Sequence, residues 1–137
     1  MNRYELLYRG VAAGTGALVG YLYGGWYPLL EILIALMIID YVSGVLAAAY
    51  LGQLSSQVGF QGIAKKIMIL LIVAVAHLVD RILNLDQIVL NAAVYFYLCN
   101  ELLSIIENAG RVGLPIPDRL KSMISVLHGR VKTNDKN

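Results

Sequence analysis

The chain is short of charge. Asp, Glu, Lys and Arg make up 15% of its 137 residues, while 58% are hydrophobic; an ordinary soluble domain carries about 25% charged residues. That shortage leaves too little polar surface for a water-soluble fold, and it points to lipid. Cysteine is nearly absent. Cys99 stands alone, so no internal disulfide framework exists, and from its place in an apolar run it is expected to be a small buried hydrophobe. There is no phosphate-binding loop, no zinc-spaced cluster and no nucleophile beside a base. These gaps remove the common enzyme signatures, so neither catalysis nor a cofactor is expected. The basic residues near the C-terminus lack interleaved aromatics, which argues against nucleic-acid binding.

What the chain has instead is long apolar runs. A spanning helix needs about 20 mostly apolar residues, and four stretches qualify: about 10–27, 29–51, 63–83 and 88–106. Open strands cannot satisfy their backbone groups in hydrocarbon, so all four are expected to be helices. The expected architecture is an all-α membrane protein, with residues 1–106 as the transmembrane domain and residues 107–137 as a basic cytoplasmic tail. The first stretch has the basic flanks of a signal peptide, Arg3 and Arg9. It runs into GGWYP without a small-x-small cleavage site, so it is read as an uncleaved span.

The basic residues set the expected orientation. Arg3 and Arg9 precede the first helix, Lys65 and Lys66 open the third, and Arg111, Arg119, Lys121, Arg130, Lys132 and Lys136 follow the fourth. With both termini cytoplasmic, ten of the eleven basic residues lie inside, Arg81 being the exception. The positive-inside rule selects that topology, with Tyr4, Tyr8, Tyr23, Trp26 and Tyr27 as interfacial anchors of the first helix.

Against this apolar background the polar residues stand out. Asp40 falls near the middle of the second run, in ALMIIDYVSGVLAAAY. A charged Asp there costs about 2.5–3.5 kcal/mol on insertion scales, so it should face protein or water. Ser43 and Gly44 share its helix face. His77, Asp80, Arg81 and Asn84 line one face of the third helix, and Tyr97, Asn100, Glu101, Ser104 and Asn108 one face of the fourth. The first helix carries two overlapping GxxxG steps, Gly16, Gly20 and Gly24, a close-packing signal.

Asp40, Ser43, His77, Asp80, Arg81, Asn100 and Glu101 are therefore expected on a pore-lining or inter-subunit polar face. Gly16, Gly20, Gly24 and Gly44 are expected at helix contacts. Lys65, Lys66, Arg119 and Lys121 are expected at the inner surface, with Lys65 or Lys66 able to reach Glu101 or Glu107. Two readings stay open for Asp80 and Arg81, a functional face or a pair that snorkels to the outer surface. His77 and Asp80 have no second pair of ligands, so no metal is expected.

After the fourth helix, Gly110 and Gly113 end the helix and Pro115 and Pro117 force an extended link. A short helix is expected from about 118 to 128, with Leu120, Met123, Ile124 and Leu127 forming an apolar stripe. From Glu107 onward six basic residues stand against three acidic ones, so this helix suits an anionic inner leaflet. A place beneath the bundle or against a neighbouring subunit fits equally well.

NELLSIIENAGRVGLPIPDRLKSMI (100–124) closely resembles the closing signature of the phage-lysis and toxin-secretion holins. Asn100, Glu101, Ser104, Ile105, Glu107, Asn108, Gly110, Gly113, Pro115 and Pro117 carry the match. Upstream, IDYVSGVLAAAYLGQLSS (39–56) resembles the family's D-x-x-x-G step through Asp40 and Gly44. GIAKKIMILLIVAVAHLVD (62–80) resembles its Gly- and Lys-rich entry to the next helix and the Asp near that helix's end.

The resemblance covers about residues 31–128. It implies a phage or prophage protein that assembles with copies of itself in the inner membrane and permeabilises it. A cytoplasmic endolysin, or a toxin, then passes without needing to touch it. Two other classes fit the residues alone. One is a small oligomeric channel or transporter with a buried Asp/His/Glu path. The other is a membrane-anchor subunit of a larger complex.

Overall fold

The computed structural model describes residues 2–123 and 126. Four helices follow one another: α1 (Arg3–Tyr23), α2 (Pro28–Tyr50), α3 (Ser56–Leu83) and α4 (Ile88–Arg111). No strand occurs among the described residues. Three of the four, α2, α3 and α4, are long and apolar enough to cross a membrane. α1 is more polar, with Arg3, Glu5 and Arg9 in its first turns and four glycines behind them.

Local chemistry sets the helix limits. Pro28 opens α2 at a position where a missing N–H costs nothing. The Ser55 hydroxyl accepts the Val58 N–H at 3.2 Å and caps α3. α3 therefore starts well before the apolar run at Ile63 and continues straight through the polar stretch. α3 and α4 join through a tight turn in which Asn84 and Gln87 both adopt left-handed backbone.

α4 ends where Gly113 takes a φ of 89°, and the Leu114 N–H reaches back to the Ala109 carbonyl at 3.2 Å. Ile116 then folds onto the end of α4, so close to Gly110 that a Cβ there would lie 2.5 Å from its Cδ1. The Gly and Pro spacing of the closing signature is thus a chain reversal. Beyond it, residues 118–123 are helical. The rest of the expected tail helix, at 124–125 and 127–128, lies outside the described residues.

The core joins α2, α3 and α4: Leu33 and Met37, Ile69 and Val73, and Leu90, Val94 and Leu98 form one cluster. α2 packs mainly against α4, and α3 lies across both. The opposite faces carry exposed apolar side chains such as Leu46 at 63%, Ile67 at 53% and Phe96 at 66%. Cys99, expected to be buried, is exposed as well. Exposed apolar surface of that extent suits a lipid solvent rather than water.

α1 packs mainly on α3 and buries none of its own residues. Two contacts hold its end: the Tyr23 hydroxyl donates to the Leu70 carbonyl at 3.1 Å, and the Arg81 guanidinium stacks 5.3 Å from the Tyr21 ring centre.

Candidate functional site

The three core helices meet in register. Asp40 lies ten residues before the end of α2, Lys66 ten residues after the start of α3, and Glu101 ten residues before the end of α4. α3 runs opposite to its two neighbours, so all three positions stand about 15 Å from the same end of the bundle. There the Lys66 ammonium donates to both the Asp40 and the Glu101 carboxylates. The side chains are withdrawn from solvent: Lys66 is 17% exposed, Asp40 13% and Glu101 2%.

Asn108, two turns along α4 from Glu101, completes the cluster. Its amide donates to Asp40 Oδ1 at 3.0 Å, to the Asp40 carbonyl at 3.2 Å and to Ser43 Oγ at 2.9 Å. Ser43 in turn donates to the Asp40 carbonyl at 3.0 Å. Gly44 makes room for this. A Cβ there would meet Asn108 Nδ2 at 3.4 Å, and one at Gly62 would meet the Tyr41 ring at 3.1 Å. The small residues next to Asp40 thus let α4 and α3 close over it.

One cation faces two carboxylates. With all three ionised the cluster carries one excess negative charge inside an otherwise apolar bundle. Pairing two of the charges offsets much of their desolvation, while breaking such a pair is strongly destabilising. Chemically the cluster is a clasp: it holds three helices only while Lys66 stays between its partners. Asp40 and Glu101 were expected on a polar face, and here they meet inside one subunit. Lys66 was expected at the inner surface within reach of Glu101 or Glu107; it pairs with Glu101 and, beyond that expectation, with Asp40. Lys65 next to it is exposed and makes no ion pair among the described residues.

The remaining expected positions fall elsewhere. Asp80 is 4% exposed, and its carboxylate accepts the Val89 N–H at 3.0 Å and the Leu90 N–H at 2.7 Å. These are orphan donors at the start of α4, whose own preceding residue Gln87 supplies no cap. The helix dipole favours a carboxylate there. Arg81 covers Tyr21 instead of pairing with Asp80.

His77 is 6% exposed and lies under the α1–α2 turn. A Cβ at Gly24, whose φ is 76°, would come within 2.9 Å of its Cε1. Gly24 therefore makes a close contact through a turn. Gly16 and Gly20 face open space, with nothing within 4 Å of an added Cβ. Asn100 is exposed, and Arg119 and Lys121 lie exposed on the short tail helix. Among the described residues no group of His, Cys, Asp and Glu is placed to hold a metal.

Val73 and Val94, both fully buried, lie between the clasp and the His77–Asp80 end of the bundle. The two polar regions are separated by a buried apolar layer.

A helical bundle with three membrane-length helices and charges clasped inside defines a class: a small multi-pass membrane protein. A family model described as the bacteriophage holin family matches residues 17–129. The chain belongs to that family, a family of non-enzymatic membrane proteins.

Among curated relatives, it is 47% identical over 117 residues to the uncharacterised protein Lmo0128 of Listeria monocytogenes, covering 85% of this chain and 84% of the relative. It is 46% identical over 130 residues to the uncharacterised protein BH0965 of Halalkalibacterium halodurans, covering 91% and 96%. It is also 34% identical over 116 residues to an uncharacterised 14.9 kDa Clostridium perfringens protein in the nagH 3' region, covering 84% and 88%. No solved structure matches the chain.

Proposed function

We propose that this chain is a working holin. It accumulates in the bacterial inner membrane with both termini cytoplasmic, assembles with copies of itself, and permeabilises the membrane so that a cytoplasmic endolysin or toxin escapes. α1 crosses as a fourth span, placing Arg3 and Arg9 inside. The basic tail helix around 118–128 rests on the inner leaflet.

The observation that carries this reading is the Asp40–Lys66–Glu101 clasp. A subunit meant only to anchor a partner has no need of three ionisable groups in its bundle. A subunit that must stay harmless and later line a water-filled lesion has such a need. Clasped, the charges are satisfied within one subunit. Re-paired between subunits, Asp40, Ser43, Asn100 and Glu101 form the hydrated or inter-subunit face.

The apolar layer at Val73 and Val94 weighs against a proton path confined to one subunit, so the channel or transporter reading requires a path built between copies.

The test is paired expression in a bacterium, following membrane potential and culture density. The protein alone should depolarise cells abruptly, and rapid lysis should follow only when a cytoplasmic cell-wall hydrolase is co-expressed. Intact potential despite confirmed membrane insertion would overturn the reading. The clasp itself is tested by Asp40→Asn and Glu101→Gln: unchanged assembly and unchanged lysis timing in both would remove it from the mechanism.

A further inference from the structure

Two cavities flank the clasp and share a wall. One, of about 310 Å³, opens at the charged end of the bundle, between α2, α3 and α4. Its lining includes Lys65, Lys66 and Arg111 against Asp40 and Glu107. Lys66 is committed to the clasp, and neither Lys65 nor Arg111 has an ion-pair partner among the described residues. Outside the clasp the mouth therefore holds two cations, Lys65 and Arg111, against the one carboxylate of Glu107.

The second cavity, of about 620 Å³, is a lateral groove between α3 and α4. Its α3 wall is Ala64, Met68 and Ile72, spaced four apart, with Phe60 at the charged end and Tyr97 across from them. Lys65, Lys66, Gln61, Ser104 and Asp40 line both cavities, so the groove runs into the mouth.

Depth decides what fits. From Lys65 to the end of α3 at Leu83 is 18 residues, or ~27 Å of helix, close to the ~30 Å thickness of the hydrocarbon layer. Lys65 thus stands where phosphates begin. Arg111, at the end of α4, has its backbone ~15 Å further out, and its side chain reaches back to line the same cavity. The Ala64–Met68–Ile72 wall runs from there into the acyl region. A cationic mouth at phosphate depth, continuous with an apolar groove below it, has the charge and layering of an anionic phospholipid.

We infer that this site binds one anionic phospholipid, its phosphate held by Lys65 and Arg111 and an acyl chain lying in the α3–α4 groove. The inference needs only that α3 and α4 cross the bilayer, not that the protein lyses cells. Its failure would leave the lysis reading untouched. A lipid seated there occupies the open flank of the clasp and lies between this subunit and any neighbour that approaches the groove.

The experiment uses the full chain purified in mild detergent and native mass spectrometry. The probes are phosphatidylglycerol, phosphatidylcholine of the same chains, and glycerophosphate, which carries the phosphate without chains. Wild type should retain one phosphatidylglycerol in preference to phosphatidylcholine. Each cation near an anionic headgroup contributes about fivefold, so Lys65→Gln with Arg111→Gln should weaken retention about 25-fold. Met68→Trp, which fills the groove, should reduce lipid retention severalfold.

Equal retention of the two lipids would overturn the inference, as would a preference that survives the double substitution. Glycerophosphate bound as tightly as the lipid would reduce the site to a phosphate pocket and remove the acyl part. Cysteines placed at Met68 that cross-link between copies in place of lipid retention would assign the groove to a second copy and refute the lipid.

Discussion

Replacing Lys66 with Met should do more damage than replacing either carboxylate it holds. Methionine keeps the length and the apolar stem, so the change removes little but the ammonium. Asp40 and Glu101 then face each other with no counter-ion, at 13% and 2% side-chain exposure. Removing one partner from a buried ion pair costs about 3–5 kcal/mol. The low end, about 3 kcal/mol, applies here because Asp40 keeps the Asn108 amide and a little water.

Asp40→Asn leaves a one-to-one Lys66–Glu101 pair and removes the excess negative charge. It should change stability by less than ~1 kcal/mol. The triple change Asp40→Asn, Lys66→Met and Glu101→Gln removes every charge and should recover most of the loss, since neutral replacements of buried ion networks are often tolerated. Loss of helix on titrating a harsh detergent into a mild one, followed by circular dichroism, reads all three. Lys65→Met, in an exposed residue without an ion pair, is the control and should fall within ~0.5 kcal/mol of wild type. If Lys66→Met unfolds at the wild-type midpoint, or the triple variant is no more stable than the single one, the clasp does not hold the bundle.

Asp80→Ala strips the cap from α4 and should destabilise by about 1.5–3 kcal/mol, while Asp86→Ala in the neighbouring exposed turn should be neutral by the same assay. Gly24→Ala combines a φ of 76° with a 2.9 Å approach to His77 and should lose about 1–2 kcal/mol. Gly16→Ala and Gly20→Ala should stabilise the isolated subunit slightly, by up to ~1 kcal/mol each, through helix propensity. If these two glycines serve contacts between copies, the same changes will shift the oligomer distribution seen by chemical cross-linking in membranes. An unchanged distribution would assign them no packing role.

Three of the spans, the closing signature and the placement of Asp40 and Glu101 away from lipid were legible in the sequence because each is a property of one segment. An apolar run, a Gly-x-Pro-x-Pro spacing and a carboxylate amid isoleucines need no partner to be noticed. Register between helices is a property of pairs, and it was harder to see. Lys66 stands at the start of the third apolar run, where a lysine reads as an inner-surface residue able to reach Glu101 but not as the partner of Asp40. Only the Ser55 cap, which starts α3 early and straight, shows that Lys66 lies three turns into a helix and level with Asp40.

A signal was nonetheless available. Two intramembrane carboxylates require a counter-ion, and Lys65 and Lys66 are the only cations near that depth. Asp80 hides its role for a similar reason. Its two acceptor bonds go to backbone donors of the next helix, and backbone donors leave no mark in a sequence. The clue was negative: Gln87 is a poor cap, so the start of α4 had to borrow one.

The stoichiometry of the clasp bears on how assembly proceeds under the proposed function. Drawing α3 away from α2 and α4 inside lipid would strand Asp40, Lys66 and Glu101 together. Insertion scales give about 3 kcal/mol for each such group at the centre of the hydrocarbon layer and less towards its edge, so on the order of 9 kcal/mol is the upper limit for the three together. A subunit therefore cannot open by small steps. It opens where water, or the charges of other open subunits, receives all three groups at once. One clasp opening alone has neither, while a cluster of subunits supplies both. The probability of opening then rises steeply with local subunit density, and a protein built this way stays silent while dilute and changes state abruptly when crowded. The neutral triple variant removes that barrier. It should lose the abruptness first, giving depolarisation that grows gradually with expression level, measured cell by cell with a potential-sensitive dye. A sharp threshold that survives in the triple variant would mean that the switch resides elsewhere.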